Sequence, residues 1–375
     1  MDSFFSDFTP TTKEQWLQQI EKELKGKPFS DLQWAVGTDI SVDPFYTKED
    51  LPNPTSPQIF SDHPAQWGIG EQFEGSDYVQ NNSFLLQALQ GGIDAPGFQF
   101  QTVPSIEDFG KLYQEVAPDF VSHHFEIKAG SDVKPEDVST AFLSNWGQFL
   151  DNKNTSGTFY LANSGEPFLP KYWVALANWR KFLPDFRLIG VDLRPKWDGK
   201  DAMVGEVSFA LNLIVEMLEK ASDSHEWSVL EFFQNLHIKV NIGTSYFLEI
   251  AKLRALRLCL ANLQKAYGLE AFQMPFLDVY FTPQVMDENA NTNMIKDTTM
   301  AMAAIIGGAS RLTVMPANAN KETASPFTRR IARNVQHLLA MESNFGKVSD
   351  PAAGSYYVEH LTNQIAEKAW SSLQV

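Results

Sequence analysis

The stretch 236–266, LHIKVNIGTSYFLEIAKLRALRLCLANLQKA, joins a strand to a helix. Its pattern predicts a strand over 236–242 and an amphipathic helix over 244–267. The same pairing recurs from about residue 81 onward. Strands are expected at 96–100, 119–126, 156–162, 186–193, 276–283 and 311–316, with a short eighth near Lys347–Ser349. Helices are expected at 105–115, 135–152, 170–183, 200–220, 289–306, 325–345 and 356–374. Strands alternating with helices imply a parallel sheet with right-handed crossovers. About eight such units suit a closed barrel. An open doubly wound sheet is the rival, but no Gly-x-Gly-x-x-Gly follows a strand to support it. The expected fold class is α/β, an eight-fold (β/α) TIM-type barrel (residues 81–375) with an extended N-terminal arm (residues 1–80).

The arm reads differently from the rest. A capping box, Thr11-Thr12-Lys13-Glu14, is expected to start a helix that ends near Gly26. Trp16, Ile20 and Leu24 recur every four residues and give it one apolar stripe. Pro44, Pro52, Pro54, Pro57 and Pro64 follow in a loop-like segment. Such an arm either packs on its own domain or wraps a partner chain.

Composition narrows the function classes. Hydrophobic residues make up 43% of 375, with 28 Phe, which favours a large packed core over disorder. The net charge of −16 repels phosphate backbones, so nucleic-acid binding is not expected. The single cysteine, Cys259, excludes a disulfide framework or a cysteine-based zinc site, which fits a reducing compartment. The start, MDSFFSDFTP, lacks the basic-then-apolar pattern of a secretory signal. No apolar run is long enough to span a bilayer. A soluble, cytoplasmic protein without membrane or metal partners is expected.

Three motifs stand out. The helix after 236–242 carries Phe247-Leu-Glu-Ile-Ala-Lys-Leu-Arg254, in which Glu249 and Lys252 are spaced for an ion pair. Arg329, Arg330 and Arg333, with Asn334 and Gln336, follow Pro326 near a helix start. They either hold a phosphate or pair with acidic neighbours. Asp350-Pro-Ala-Ala-Gly-Ser-Tyr-Tyr-Val-Glu359 makes a tight turn at Pro351 and Gly354, with Ser355 as a helix cap. Together these motifs resemble the methylmalonyl-CoA mutase family, whose members use cobalamin to rearrange acyl-CoA thioesters. The resemblance spans nearly the whole chain. It implies that the last motif closes the barrel, and that the charges of the middle helix fix packing or an interface.

The resemblance also exposes departures. Active chains of the family carry a Tyr in a Tyr-Ala-Gly-Phe run soon after a Trp-x-Ile. Here Trp67-Gly-Ile69 continues as Gly70-Glu-Gln-Phe-Glu-Gly75, and Phe73 has no hydroxyl. A family Arg binds the substrate carboxylate from the third strand region, yet no arginine precedes Arg180. Lys153 and Lys171 are poor geometric substitutes. A family His follows Gly-Tyr at the fourth strand, where this chain has Gly190-Val191-Asp192. Asp223-Ser-His225 is similar to the start of the cobalt-ligating motif. It lacks the required Gly, since Ser228 stands there, and is rejected. His123 and His124 are adjacent on a strand and must point to opposite faces. Any CoA site would need local Lys or Arg. Half or more of Phe98, Phe100, Phe120, Phe125, Phe159, Tyr160, Tyr280 and Phe281 are expected to fill the barrel and leave no tunnel.

The family includes heterodimers of one catalytic and one shorter, non-catalytic chain, and this sequence is similar to the shorter one. The resemblance then implies no catalytic, cofactor-binding or metal-binding residues on this chain. A large catalytic mutase subunit would be the partner and would bind adenosylcobalamin. The sequence reaches Val375 just past the eighth expected helix, so a cobalamin-type module is not in this stretch. Either the stretch is part of a longer chain, or the module belongs to another. The alternative is a catalytic acyl-CoA mutase barrel working with a separate cobalamin-binding module. An unrelated barrel enzyme has no support beyond the versatility of barrels.

Overall fold

The computed structural model describes residues 11–36, 40–50, 66–128, 133–151, 154–162, 170–199 and 202–373. Pro52, Pro54, Pro57, Pro64 and Lys153 lie outside these. The arm begins with helix α1 (Lys13–Glu23), capped one residue later than expected, by Thr12 with Gln15 reaching back. None of its residues is buried. Trp16 packs against Phe29 and Phe45, while Lys13 pairs with Asp50. A small antiparallel pair follows, β1 (Trp34–Val36) and β2 (Ile40–Val42).

The remaining strands form one parallel sheet. They are β3 (Gly68–Glu74), β4 (Ala95–Phe100), β5 (Ser122–Lys128), β6 (Ser156–Ala162), β7 (Phe186–Arg187), β8 (Ile189–Asp192), β9 (Leu236–Ile242), β10 (Phe276–Phe281) and β11 (Arg311–Thr313). Their order is β7-β6-β5-β4-β3-β11-β10-β9-β8. The two edges, β7 and β8, are halves of one strand parted at Leu188. The sheet therefore rolls into a barrel of eight strands. Around it run α2 (Tyr78–Gln90), α3 (Ile106–Leu112), α4 (Pro135–Leu150), α5 (Pro170–Phe182), α6 (Met203–Asp223), the short α7 (Val229–Gln234), α8 (Tyr246–Ala266), α9 (Ala290–Gly307) and α10 (Pro326–Met341). A last helix, α11 (Tyr356–Ser371), packs across α6 and α8.

The barrel starts one unit earlier than the sequence pattern suggests. Its first strand and helix are β3 and α2, so residues from Gly68 belong to it, ahead of the expected boundary at 81. Conversely, the eighth strand expected near Lys347–Ser349 is not there. Phe345–Lys347 is a 3-10 turn, and β11 closes the barrel directly onto β3. The Asp350–Glu359 motif leads into the outer helix α11 and does not close the barrel. Gly68-Ile-Gly-Glu-Gln-Phe-Glu74 escapes a hydropathy reading for two reasons. Its inner positions are Gly68, Gly70 and Gln72, and its outward Glu71 is buried against two arginines.

Registered residues on neighbouring strands share a face. Phe73, Phe98, Phe125 and Phe159 stand in line across β3 to β6 and point outward to the helices. Phe125 packs on Phe142 and Trp146 of α4, and Phe100 packs on Phe109 of α3. The aromatic core therefore lies between sheet and helices. Each such ring contributes about 1.5–3 kcal/mol by burial. This corrects the expectation that half or more of these rings fill the barrel. Of the eight named, Tyr160 and Tyr280 face the axis, and Phe120 is 81% exposed on a 3-10 turn.

Candidate functional site

The inward positions alternate with the outward Phe residues, and they are small or polar. They include Gly70 and Gln72 on β3, Gly97 and Gln99 on β4, and His124 and Glu126 on β5. Thr158 and Tyr160 on β6, Gly190 and Asp192 on β8, Lys239 and Asn241 on β9, Asp278 and Tyr280 on β10, and Arg311 and Thr313 on β11 complete the circuit. Such residues cannot be buried singly without loss, so they pair across the axis.

The pairing comes in two layers. In the lower one, Arg311 Nη1 donates to Asp278 Oδ1 at 2.7 Å and to Tyr280 Oη at 3.0 Å, and its Nε donates to the Ala95 carbonyl. Tyr280 in turn donates to Asp278 at 2.7 Å. The guanidinium needs the glycines opposite. A Cβ on Gly97 would lie 2.5 Å from Arg311 Nη2, and one on Gly70 would lie 3.0 Å from Arg311 Cζ. Burial would raise the Asp278 carboxyl, but Arg311, His124, Lys239 and the Tyr280 hydroxyl together outweigh it and hold that pKa well below the usual range.

In the upper layer, Glu126 Oε2 accepts from Lys239 Nζ at 2.5 Å and from Arg194 Nη2 at 2.8 Å. Gln99 donates to Glu126 Oε1. Arg194 also grips Asp192 with two bonds, of 2.9 and 2.7 Å. Burial alone would raise the Glu126 carboxyl, yet Lys239 and Arg194 hold it down at about 2. Burial pulls Lys239 down despite Glu126. Beneath both layers, His124 bonds Thr158, and His237 bonds the Phe159 carbonyl. Burial holds His237 down at about 4. His123 points the other way, to Tyr113 and the Pro118 carbonyl, as adjacency on a strand requires.

Above these layers, at the carboxyl ends of the strands, opens a cavity of about 860 Å³. Gln72, Lys128, Tyr160, Asn241 and Thr313 line its polar side, and Met315 its apolar side. This end of a barrel is where binding sites form. The cavity goes beyond the expectation of a wholly filled core. Its floor, however, is the Glu126–Lys239–Arg194 layer. None of the described residues lining it is a histidine or cysteine. Among the described residues, no cluster of three or more His, Cys, Asp or Glu could hold a metal ion.

The motifs singled out in the sequence lie outside this cavity or on its wall. On α8, Lys252 bonds Glu206 at 3.1 Å and the Asn241 carbonyl at 2.8 Å, and pairs with Glu249 at 2.7 Å. Arg254 pairs with Asp350 and Glu359, so α8 and the Asp-Pro-Ala-Ala-Gly-Ser turn are one unit. Arg257 caps α9 by donating to the Gly307 and Gly308 carbonyls. Arg329 and Arg333 both bond Glu71 at 2.6 Å, so the ion-pair reading of that cluster holds for these two. Arg330 lies over Phe327.

These α8, α10 and Asp350–Glu359 features fall within residues 175–375, which match the family model described as methylmalonyl-CoA mutase. The chain belongs to the methylmalonyl-CoA mutase family. It is 28% identical to the methylmalonyl-CoA mutase small subunit of Porphyromonas gingivalis, over 98% of this chain and 63% of that one. The small subunit of Propionibacterium freudenreichii subsp. shermanii is 26% identical, over 99% and 63%. The methylmalonyl-CoA mutase of Rhizobium meliloti is 24% identical, over 98% and 58%. The chain thus spans 58–63% of the length of these relatives.

The positions at which this family member departs from the mutase pattern can now be placed. Phe73 points to the helices and stacks on Phe98 at 5.4 Å. Trp67 donates to Gln336 of α10. Asp192 reaches the mouth but is held by Arg194. Lys171 sits on α5, against a surface groove with α4 and away from the mouth. Arg194 brings a guanidinium to the mouth from beyond the first 179 residues, with its Nε and Nη2 engaged by Asp192 and Glu126. Sequence reasoning missed Glu126, Lys239, Asp278 and Arg311. The available signal was a charged residue inside each of the short strands HFEIK, LHIKVNI, FLDVYF and RLT. His225 ends the turn after α6, a helix that runs back from the mouth. It therefore lies at the opposite end of the barrel from the cavity.

Proposed function

We propose that this chain is the non-catalytic subunit of a cobalamin-dependent methylmalonyl-CoA mutase. In this reading a larger partner interconverts succinyl-CoA and methylmalonyl-CoA, and this chain stabilises it. The observation that carries the reading is the two-layer ionic network across the axis. An acyl-CoA tail threading the barrel would have to displace Arg311–Asp278 and Glu126–Lys239. Breaking one partner of such a buried pair costs about 3–5 kcal/mol. The groups a mutase needs at the mouth are committed elsewhere, as Arg194 is held by Asp192 and Glu126.

The donor set of the mouth does not suit the cobalt of adenosylcobalamin, which the partner chain would bind. His225 is remote and in the wrong motif. The partner contact would fall on the arm. Helix α1 has eleven residues and buries none of them, so it gains little from its own chain. Trp34 and Phe45 beside it stay 43% and 52% exposed. Tyr46 ties the arm to α11 by packing on Tyr357 and His360. The arm thus lies on its own barrel through Tyr46 and offers its aromatic face outward.

The test mixes this chain with a full catalytic subunit and follows succinyl-CoA turnover and thermal stability. The expected result is a complex that melts higher than the catalytic subunit alone, with turnover that vanishes when that subunit's own site is disabled. Turnover by this chain with a cobalamin-binding module, without the large subunit, would overturn the proposal. No helix among the described residues is long and apolar enough to cross a membrane.

A further inference from the structure

The buried cluster behind the mouth holds two carboxylates and one ammonium. Glu206 on the first turn of α6, with Glu249 and Lys252 on α8, are each at most 1% exposed. Their hydrogen bonding is unequal. Glu249 Oε1 accepts from the Gly243 amide at 2.8 Å and from Trp197 Nε1 at 3.4 Å, and its Oε2 meets Lys252. Glu206 meets Lys252 through Oε2 alone, and among the described residues its Oε1 has no partner. Lys252 also donates to the Asn241 carbonyl, and its contact with Glu249 Oε2 is an ion pair without hydrogen-bond geometry.

With both acids ionised the cluster would hold a net negative charge out of water. Glu249 accepts two hydrogen bonds besides its contact with Lys252, whereas Glu206, among the described residues, accepts from Lys252 alone, which makes Glu206 the acid that takes the proton. A protonated Glu206 removes the excess charge.

We propose that Glu206, Lys252 and Glu249 form a proton-linked latch. It holds one proton on Glu206 at neutral pH and loosens when that proton leaves. The latch joins the first turn of α6 to α8 and to the end of β9. It also joins them to the segment Arg194–Trp197, whose Arg194 forms the floor of the cavity.

The charged groups facing Glu206 are Lys252 and Glu249, both on α8. β9 presents the Asn241 carbonyl and the 3-10 segment presents the Trp197 indole. Among the described residues, no charge on α11 is among those acting on Glu206. Burial, reinforced by Glu249 and opposed by Lys252, raises the Glu206 carboxyl to about 7. The sign follows from linkage. The folded pKa lies above the unfolded value, so the stabilisation is full below the unfolded pKa and is lost as pH rises through about 7.

The experiment compares the chain with Glu206→Gln, which mimics the protonated acid and keeps the Lys252–Glu249 pair. Between pH 6 and 8 the melting temperature of the parent should fall by about 2 °C relative to the variant. A fluorescence change centred near pH 7 should appear in the parent and vanish in both Glu206→Gln and Trp197→Phe. Carbon-13 NMR of labelled glutamate carboxyls, assigned by the Glu206→Gln spectrum, gives the same midpoint even if a variant folds poorly. A melting difference flat between pH 6 and 8, or a Glu206 carboxyl titrating below pH 5, overturns the proposal.

Discussion

Replacing Arg311 by Met tests the axial network most directly. Arg311 and Asp278 are both fully buried, and the guanidinium is the cation bonded to that carboxylate. In Arg311→Met, Asp278 keeps the Tyr280 hydroxyl and the unbonded Lys239 of neighbouring β9, but loses its bonded counter-ion. Stranding a buried ion in this way costs about 3–5 kcal/mol. At about 2.1 cal/mol/K per residue, a chain of this length has a melting entropy of about 0.8 kcal/mol/K. The melting temperature should therefore fall by about 4–6 °C in scanning calorimetry. Asp278→Asn added to Arg311→Met removes the stranded charge, so the double variant should recover a large part of the loss. Acidification should help the single variant, because Asp278 then takes up a proton that the parent carboxylate refuses. The reasoning is refuted if Arg311→Met shifts the melt by under 1 °C, or if the two substitutions add without coupling.

Arg254→Leu leaves Asp350 and Glu359 without their shared guanidinium. It should cost about 3–5 kcal/mol in urea melts and speed proteolysis at the Asp350–Ser355 turn. Trp16→Ala unpacks an arm helix that buries nothing of its own. It should weaken association with the catalytic subunit at least tenfold in sedimentation, while the melt of this chain alone moves by under about 2 °C. Burial holds His123 and His237 down at about 4 in the fold. Their folded pKa lies below the unfolded value, so their stabilisation is present above about 6.5 and is lost as pH falls towards 4. His124 is likewise held down by burial. Urea midpoints should therefore drop across that window, and His237→Gln should flatten the drop by about a third.

The strand-and-helix alternation was legible because amphipathic helices such as α8 and apolar runs such as 276–281 carry strong periodic signals. The β3 strand was not, because its meaning depends on residues 240 or more positions away. Glu71 becomes a buried residue only once Arg329 and Arg333 arrive from α10. With that first unit unread, the periodic pattern counts the outer helix α11 as the eighth. The direction of the strand faces was also hidden. Alternation says that Phe98 and Gln99 face opposite ways, and it is silent on which faces the axis. In a barrel sheathed by amphipathic helices, the helices supply the larger apolar surface, so the aromatic face turns outward to meet it. The inner face then had to satisfy its polar groups internally, which no local pattern in one strand reveals.

The composition of the inner face has a further consequence. Small and polar inward residues are what an open, hydrated axis would require, and the cavity above Glu126 retains that character. Below it, three cations (Arg194, Lys239 and Arg311) meet three anions (Asp192, Glu126 and Asp278), so the plug is neutral. Neutrality lets the charges stay buried without water. It also makes the plug resistant to single changes. Removing any one member leaves a buried charge short of a partner and lowers stability, whereas opening the axis needs both members of a pair to shrink together. Under the proposed reading, a chain that reaches this arrangement is held away from acyl-CoA threading by the electrostatics of its own core. The mouth cavity can vary freely without restoring the path beneath it.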